Sequence, residues 1–407
     1  MKASAETLVV WVAGRLTGLL ARENGPRHVF SYDPTTQGSD QVSLTMPVRL
    51  ESWVNRDLHP VFQMNLPEGA LLEAIRRTVA KLMGEDDLII LRVTGGNQIG
   101  RNRFSPVGDE APGLPESPES LEELLTYPNT SELFHELMNR YFLRSGVSGV
   151  QPKVLLEATD RVSLTTAGYI VKSWGDDYPQ LAANEFFCMS AAKQAGLPVP
   201  EFHLAENGGL FVMKRFDLGT GGVSLGFEDM CSLQGVGTSK KYSGSYERVA
   251  RSICDFVSAE YQAAARQQYF QMMVLSLMVR NGDAHLKNFG VLYESASGPV
   301  RLAPVYDVVT TTAYIRKDLP ALSLGGAKKW WSRKTMEQFA VTHLSLSSAA
   351  IRQAFERVAD AVTETRGRVM AYISDHPEFR QTGEAMLEAW DSGVSQCSLK
   401  TGSQPNE

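Results

Sequence analysis

The feature that most restricts how this chain can fold is a dense polar block inside an apolar stretch, LSLMVRNGDAHLKNFGVL (residues 275–292). The run before the block has the composition of a buried helix, and the run after it, from Phe289, has that of a strand. Between them lie four polar side chains in six positions, namely Asp283, His285, Lys287 and Asn288. Because burying such groups costs free energy unless they are paired or used, we expect a functional loop between a helix and a strand.

The spacing within this block is that of a known type of catalytic loop. Asp283 and Asn288 are five positions apart, as are the catalytic Asp and the Mg²⁺-binding Asn of protein kinases. A second carboxylate, Asp307, follows at the end of a predicted hairpin, where kinases place their other metal-binding residue. The spacing D-x-x-x-x-N also occurs by chance, so the alternative is an Asn-Gly-Asp turn with a hydrogen-bonded His285.

Composition limits the class of protein. The chain has 407 residues, of which 43% are hydrophobic and 21% charged, as in a globular protein of two or three domains. A formal net charge of −6 does not favour nucleic-acid binding over the whole surface. Four scattered cysteines without a C-x-x-C pair favour a reducing, cytoplasmic location and argue against a zinc site. Apolar runs stay well short of a membrane span.

Changes in composition along the chain predict its domains. Residues 1–104 contain strand patterns, among them LVVWV, HVFSY and VSLTMPVRL, and one helix pattern, but no cluster of catalytic residues. A segment rich in Pro, Gly, Ser and acidic residues then predicts a linker. The predicted division is a mixed α/β subdomain (1–104), a Pro/Ser-rich linker (105–125), a domain with strands (126–225), a mainly helical domain (226–392) and a flexible tail (393–407).

Two upstream segments have features that suit a phosphate site. Lys172 lies inside the apolar strand pattern GYIVKSW, where a lysine either extends to an edge or binds an anion. The next helix pattern opens at Asn184-Glu185, so Glu185 is a candidate ion-pair partner for Lys172; the alternative is a glutamate favoured by the helix dipole. Before Lys153, SGVSGVQP offers small residues whose backbone N–H groups suit phosphates, or else a flexible turn.

Taken in order, these segments resemble a known family. SGVSGVQPK, YIVK, NEFFCMSAAKQAGLPVP, MKRFD, FEDMCSLQG, RNGDAHLKNFGVL and LAPVYDV follow one another as they do in HipA-like serine/threonine kinases, the toxins of HipBA-type toxin–antitoxin modules. The resemblance covers residues 5–375. It implies an α+β, bilobal protein-kinase-like fold, with residues 1–104 as the HipA-type N-terminal subdomain, 126–225 as the kinase N-lobe and 226–392 as the helical C-lobe.

The resemblance also implies roles for individual residues. Asp283 would be the catalytic base, Asn288 and Asp307 would hold Mg²⁺, and Glu185 would pair with Lys172. The backbone of residues 214–216 would contact adenine, and the loop 148–153 would cover the phosphates. The implied ATP-binding set is Ser148, Gly149, Val150, Gln151, Lys153, Lys172, Lys214, Arg215, Phe216, His285, Lys287, Asn288, Tyr306 and Asp307. A serine of the loop would be autophosphorylated, with Ser148 as the first choice and Ser145 as the fallback.

The implied function is an ATP- and Mg²⁺-dependent protein kinase that arrests growth by phosphorylating a translation factor, chiefly an aminoacyl-tRNA synthetase. Its partner would be a HipB-like antitoxin of the helix-turn-helix type, through which alone it would contact DNA. Three alternatives stay open: a kinase for small-molecule or lipid hydroxyls, a kinase-fold corepressor with little activity, and a metal hydrolase using Asp283, His285 and Asp307.

The paired carboxylates also give an expectation about stability. Two carboxylates a few ångströms apart repel each other when no metal lies between them. From the sequence alone, Asp307→Asn is therefore expected to raise the melting temperature of the metal-free protein. The Trp330-Trp331 pair is expected to lie in the core rather than on an exposed partner-binding surface.

Overall fold

The structure is a computed structural model that describes residues 7–23, 27–68, 72, 75, 86–111, 118–141, 151–160, 162–163, 165–219 and 222–398. Several sequence predictions lie outside the described residues. They are most of the helix pattern at 65–83, the loop residues Ser145, Ser148, Gly149 and Val150, and the last nine residues.

The N-terminal subdomain (described residues of 7–111) is built on a five-stranded antiparallel sheet with the order β4-β3-β2-β1-β5. Its elements are β1 (Thr7–Val12), β2 (Arg15–Arg22), β3 (His28–Tyr32), β4 (Trp53–Asn55), α1 (Pro60–Gln63), α2 (Asp87–Thr94) and β5 (Asn102–Pro106). The predicted strand–turn–strand at the start is confirmed, with Ala13 and Gly14 both at positive φ in the turn.

One strand expected in this subdomain does not form. The segment VSLTMPVRL (residues 42–50) contains only an isolated bridge between Ser43 and Met46. Val42 and Met46 are nevertheless buried in the subdomain core against Phe30 and Phe62. The apolar residues of the segment fill a core without joining the sheet, and the hydrophobic pattern alone does not distinguish these two outcomes.

The N-lobe (described residues of 118–219) contains a second five-stranded sheet with the order β6-β7-β8-β10-β9. Its elements are β6 (Glu119–Ser120), α3 (Leu121–Thr126), α4 (Thr130–Tyr141), β7 (Lys153–Asp160), β8 (Thr165–Lys172), α5 (Leu181–Gln194), β9 (Phe202–Leu204) and β10 (Phe211–Lys214). Helix α5 begins at Leu181 rather than at the predicted Asn184, so Glu185 lies one turn inside the helix and is fully buried.

Regular structure extends into the predicted linker, residues 105–125, from both ends. Strand β5 ends at Pro106, and β6 and α3 occupy residues 119–126. Ser120 caps α3 by accepting a hydrogen bond from the Glu123 N–H. The N-lobe of the structure thus begins before residue 126, at the strand that pairs in parallel with β7.

The C-lobe (residues 222–398) is mainly helical, as the sequence predicts. A small antiparallel sheet, β11 (Gly226–Asp229), β12 (Gly290–Tyr293) and β13 (Val300–Leu302), lies next to the cleft. The helices are α6 (Met230–Leu233), α7 (Tyr246–Phe256), α8 (Gln262–Met278), α9 (Arg333–Leu344), α10 (Ser348–Asp375) and α11 (Arg380–Cys397). Helix α8 is buried over most of its surface and runs directly into the polar block at residue 283.

The prediction of a flexible tail at residues 393–407 was wrong for the start of that range. Helix α11 continues through Gly393 to Cys397, which is buried. Trp390 is fully buried and donates its indole N–H to Thr310 Oγ1 at 2.7 Å. Gly393 lies against the backbone of Met278 at the end of α8. The polar composition of the segment from residue 393 suggested a free tail. The absence of a side chain at Gly393 is what allows α11 to pack closely on α8.

Trp331 lies in the core and Trp330 packs against it, as expected from the sequence. Trp331 is buried and packs edge-on against Tyr246. Trp330 is partly exposed, and the Arg280 guanidinium lies 4.9 Å from its ring centroid. None of the helices in the described part of the chain has an apolar stretch long enough to cross a membrane.

The N-terminal subdomain is joined to the C-lobe by a buried carboxylate. Glu228 on β11 accepts hydrogen bonds from Ser43 Oγ at 2.6 Å and the Leu44 N–H at 2.7 Å, both in the subdomain. It also accepts from Ser232 Oγ and Tyr293 Oη, each at 2.8 Å. A buried carboxylate with four donors is well compensated for its desolvation. This cluster fixes the subdomain against the small sheet.

The two helical glycines Gly393 and Gly367 should respond oppositely to alanine. A Cβ on Gly393 would lie 2.1 Å from the Met278 carbonyl oxygen, whereas a Cβ on Gly367 meets nothing within 4 Å. We expect Gly393→Ala to destabilise the protein by about 1–3 kcal/mol through overpacking. Gly367→Ala should stabilise it by up to about 1 kcal/mol through helix propensity. Urea unfolding measures both, and equal effects would contradict the packing of α11 on α8.

Candidate active site

A cleft of about 900 Å³ opens where the N-lobe, the C-lobe and the N-terminal subdomain meet. One wall is apolar and is lined by Ile99, Ile170, Met213, Phe216, Phe227 and Tyr306. The other is charged and is lined by Glu68, Lys153, Lys172, Lys241, Asp283, His285, Lys287 and Asp307. A cavity with an apolar part and convergent charged groups suits a ligand that has both a flat ring and anionic groups.

Lys172 is the centre of the charged wall. It lies at the end of β8, and its ammonium group donates to Glu185 Oε1 at 2.5 Å and to Asp307 Oδ1 at 2.7 Å. The side chains of Lys172 and Glu185 are 3% and 0% exposed, while that of Asp307 is 30% exposed. The predicted pair of Lys172 with Glu185 therefore forms, and Asp307 from the C-lobe completes it. One lysine links a strand, a helix and the segment after β13.

The charges of this trio depend on one another. Burial alone would lower the pKa of Lys172, but Asp307 and Glu185 outweigh burial and hold it above its usual value. Burial likewise opposes the ionisation of Asp307, yet Lys172 and Lys153 hold the pKa of Asp307 well below its usual range. Asp307 is therefore an ionised, paired carboxylate. The expectation that Asp307→Asn stabilises the metal-free protein rested on repulsion between two carboxylates, whereas the pairing of Asp307 with Lys172 predicts the opposite effect.

Asp307 and Asn288 are in contact with each other. Asn288 Nδ2 donates to Asp307 Oδ2 at 3.1 Å, while Asn288 Oδ1 accepts from the His285 N–H at 2.9 Å. Asp307 has a positive φ of 60°, a conformation that a short polar residue tolerates best. Ionised carboxylate and amide oxygens are the ligands that Mg²⁺ prefers. Asp307 fits such an ion as it stands, whereas Asn288 would have to turn its amide to present Oδ1.

The polar block folds as a short loop with a 3₁₀ turn at residues 286–288. Asp283 accepts a hydrogen bond from Tyr242 Oη at 2.9 Å. Burial, and then the charge of Asp307, raise the pKa of Asp283 to about 6, although the Tyr242 bond acts in the opposite direction. A carboxyl group with a pKa near neutrality suits a general base.

His285 precedes the 3₁₀ turn as its N-cap residue, and Lys287 lies within the turn. Burial lowers the pKa of His285 to about 3, so its ring is neutral, and among the described residues its Nδ1 has no hydrogen-bond partner. Lys287 donates to the Met64 carbonyl at 3.0 Å and pairs with Glu68 at 3.1 Å. The Lys287 carbonyl accepts from Tyr306 Oη at 2.7 Å. The structure thus brings Tyr306, Lys287 and His285 together at one edge of the cleft.

Lys153 faces Lys172 across the β7–β8 pair and is 5% exposed. Burial lowers the pKa of Lys153, partly offset by Asp307. Within the described ranges, its ammonium group has no hydrogen-bond or ion-pair partner. Gln151, two residues earlier, donates to the Ser173 carbonyl at 2.9 Å and also lines the cleft. Two buried ammonium groups side by side favour a multiply charged anion between the lobes.

The predicted adenine-contacting residues differ in where they point. Lys214 pairs with Glu201 at the surface, and the Arg215 guanidinium forms a buried pair with Asp217 at 2.6 Å. The Lys214 and Arg215 N–H groups donate to the carbonyls of Glu201 and Gly168. Phe216 is therefore the one of the three that faces the cleft, where its ring stacks on Tyr306 at 5.0 Å and 17°.

Sequence reasoning missed three residues of the charged wall. Glu68 lies in the helix pattern of the N-terminal region, which showed no cluster of catalytic residues, and Lys241 and Tyr242 lie in TSKKYSGSY, which matches no motif. Their roles arise from contacts across more than 40 positions of the chain, with Glu68 and Lys241 in an ion pair at 2.6 Å. A motif of neighbouring residues would not have revealed them.

Comparison with known proteins places the chain in a family. A family model described as the HipA-like C-terminal domain matches residues 145–366, more than half of the chain, and the HipA N-terminal domain model matches residues 8–105. The chain belongs to the HipA family. The HipA resemblance stated from the sequence is thereby confirmed, and the two matched regions together include all the residues named on both walls of the cleft.

Several HipA relatives are similar along much of the chain. Two proteins of Sinorhizobium fredii, named "Putative kinase Y4mE" and "Putative kinase Y4dM", are each 27% identical, over 91% and 78% of this chain and 94% and 76% of their own lengths. The Shewanella oneidensis protein named "Serine/threonine-protein kinase toxin HipA" is 26% identical, over 62% of this chain and 63% of its own length.

A solved structure has the same fold. A chain from the Shewanella oneidensis complex of HipA, HipB and operator DNA superposes with a TM-score of 0.68 at 18% identity, covering 96% of this chain and 100% of that one. The predicted α+β fold of HipA type is thereby confirmed.

Substitutions of the two cleft carboxylates should affect stability in different ways. The pKa of Asp307 is depressed in the folded state, so its ionised form stabilises the protein above pH 4, whereas the pKa of Asp283 is raised and its ionised form is destabilising above pH 6. At pH 7.5 without metal, we expect Asp307→Asn to cost about 1–3 kcal/mol.

The matched variant Asp283→Asn should leave the melting temperature unchanged or raise it, because it removes a buried charge beside Asp307 and keeps the contact with Tyr242. Thermal unfolding in a chelator measures both variants. Equal melting temperatures for Asp307→Asn and the unsubstituted protein would contradict the pairing with Lys172.

Proposed function

We propose that this HipA-family protein is an ATP-dependent serine/threonine protein kinase. The observation that carries the proposal is Lys172 held between Glu185 and Asp307 in the cleft that also contains Asp283. This is the arrangement of lysine, helix glutamate and metal-binding aspartate that phosphoryl transfer uses in protein kinases. The relatives, which include a protein named as a serine/threonine-protein kinase toxin, support the same reaction class.

The apolar and charged side chains that line the cleft fit ATP. The adenine ring would lie against the apolar side at Phe216 and Tyr306, and Lys153 and Lys172 would meet the phosphates. Phosphoryl transfer needs positioning and charge stabilisation more than covalent chemistry from the protein. Asp307, with Asn288, would hold Mg²⁺, which neutralises the developing charge on the phosphates.

Asp283 would act as the base. It would accept the proton of a serine or threonine hydroxyl as that oxygen bonds to the γ-phosphorus and ADP leaves. Among the described residues, no three His, Cys, Asp or Glu side chains form a cluster that could hold a metal ion. The alternative of a hydrolase built on Asp283, His285 and Asp307 therefore has no supporting ligand set.

The wider role proposed is that of a toxin in a toxin–antitoxin pair in the cytoplasm. The structural relative comes from a complex with HipB and operator DNA, which supports a HipB-like antitoxin as the partner of this chain and contact with DNA through that partner. By the family resemblance, the acceptor is a translation factor, in the first place an aminoacyl-tRNA synthetase. Autophosphorylation at Ser148, or else Ser145, is proposed as the inactivating step.

Intact-mass spectrometry tests the reaction. The protein is incubated with Mg-ATP, alone and with a generic acceptor such as casein. We expect a gain of about 80 Da, one phosphoryl group, on the chain or the acceptor. Asp283→Asn should abolish the gain because the base is lost, and Asp109→Asn, an exposed carboxylate, should keep it.

The other outcomes separate the alternatives. Nucleotide binding without any phosphate gain would favour the corepressor with little activity. A gain that appears only with small-molecule or lipid acceptors would favour the second alternative. Absence of both nucleotide binding and transfer would overturn the proposed function.

The Tyr242 contact gives a pH prediction. Asp283 must be ionised to act as a base, so kcat should fall as the pH drops towards 6. The Tyr242 hydrogen bond favours the ionised form, so its loss in Tyr242→Phe raises the pKa of Asp283 further. The acid limb of the kcat–pH profile should therefore move to higher pH in this variant.

The matched control is Tyr127→Phe, which removes an exposed phenol hydroxyl far along the chain from the cleft. It should leave the profile unchanged. A Tyr242→Phe profile that coincides with that of the control would show that the Tyr242 bond does not act on the base.

A further inference from the structure

The N-terminal subdomain places a carboxylate in the cleft that the proposed kinase residues do not account for. Glu68 Oε2 pairs with Lys241 Nζ at 2.6 Å, and Glu68 Oε1 pairs with Lys287 Nζ at 3.1 Å. Glu68 is separated from Lys241 by 173 positions along the chain and from Lys287 by 219 positions. All three side chains line the same cleft as Asp283 and Asp307.

These ion pairs are shielded from water. The side chains of Lys241 and Lys287 are each 9% exposed, and that of Glu68 is 17% exposed. Exposed ion pairs are worth little because water screens them and long side chains lose entropy when held. Here the partners are largely desolvated, so leaving either lysine unpaired would be costly. The geometry of the trio is therefore well defined.

The segments that carry the two lysine partners of Glu68 are also held in place. The Leu286 N–H donates to the Lys241 carbonyl at 3.1 Å, which ties the loop of Lys241 to the catalytic loop. The same loop lies on α1, where Gln63 Oε1 accepts from the Thr238 N–H at 3.1 Å. Lys287 in addition donates to the Met64 carbonyl at the end of α1. The subdomain thus holds Lys287 by a carbonyl as well as by a carboxylate.

We propose that Glu68 is a positioning residue for phosphoryl transfer, a role that rests on the proposed kinase function. Glu68 holds the ammonium groups of Lys287 and Lys241 where the terminal phosphate of the nucleotide enters the cleft. A lysine side chain has about 2 kcal/mol of rotamer entropy, so fixing it before the reaction lowers the barrier. The subdomain is then part of the active site and not only a module for partner binding.

The charge of Glu68 gives this role a distinctive signature. A carboxylate in a site for a polyanion opposes nucleotide binding while it orders the lysines. Replacing Glu68 by Gln should therefore slow transfer without weakening nucleotide binding. A glutamate that served only to join the subdomain to the C-lobe would not separate these two quantities, because loosening the contact would impair both or neither.

The experiment compares Glu68→Gln with Glu51→Gln, an exposed glutamate of the same subdomain. For Glu68→Gln, we expect kcat to fall about tenfold, the scale of losing one preorganised group. Calorimetry with Mg²⁺ and a non-hydrolysable ATP analogue should give a Kd that is about threefold lower, since one repelling charge is gone. Glu68→Asp, which keeps the charge, should recover part of kcat and the original Kd. Glu51→Gln should match the unsubstituted protein in both.

The outcomes distinguish this inference from the proposed function. An active unsubstituted protein whose Glu68→Gln variant keeps kcat within about twofold would overturn the inference alone. A loss of kcat together with weaker analogue binding and a lower melting temperature would assign Glu68 a structural role, which also overturns it. If the unsubstituted protein binds the analogue but transfers no phosphate, an unchanged or higher Kd in Glu68→Gln overturns it. If it does not bind the analogue, both proposals fail.

Discussion

The contact on which the rest of the site depends is that of Lys172 with Glu185 and Asp307. Three buried or half-buried charges are tolerable only together, because each one alone would have to be neutralised or exposed. Each comes from a different part of the fold: a strand of the N-lobe, the first turns of α5, and the segment after β13. The relative position of the two lobes is therefore fixed by the requirement that this trio remains paired.

The N-terminal subdomain is joined to the same centre from another side. Glu228 fixes it to the small sheet by two hydrogen bonds, from Ser43 and Leu44. Arg215 donates to Asn97 and Gln98 of the subdomain while it pairs with Asp217. Glu68 then reaches the charged wall of the cleft. The three units thus meet at polar contacts that bury charge, and also at one hydrophobic cluster that includes Met64 and Ile99 of the subdomain together with residues of both lobes.

Much of the fold and part of the site could be predicted from the sequence because the signals are local. The Asp283–Asn288 spacing, the lysine within a strand and the periodicity of α10 all lie within one element or loop. The contacts of Tyr242, Lys241 and Glu68 could not be predicted, since they depend on how distant segments pack. The predictions of a strand at residues 42–50 and of a free tail from Gly393 failed for a related reason. An apolar run can fill a core without pairing, and a polar segment with small residues can pack closely.

The packing of α11 determines when, during synthesis of the chain, the contacts that support the site can form. Arg280, next to the catalytic loop, is held by Ser392 and Gln396, and Thr310, three residues after Asp307, receives the Trp390 indole N–H. The segments that carry Asp283 and Asp307 are therefore supported by residues that lie 80 to 116 positions later in the chain. A chain still attached to the ribosome lacks this support until α11 has emerged. The contacts that hold this site can therefore be complete only after α11 has been synthesised.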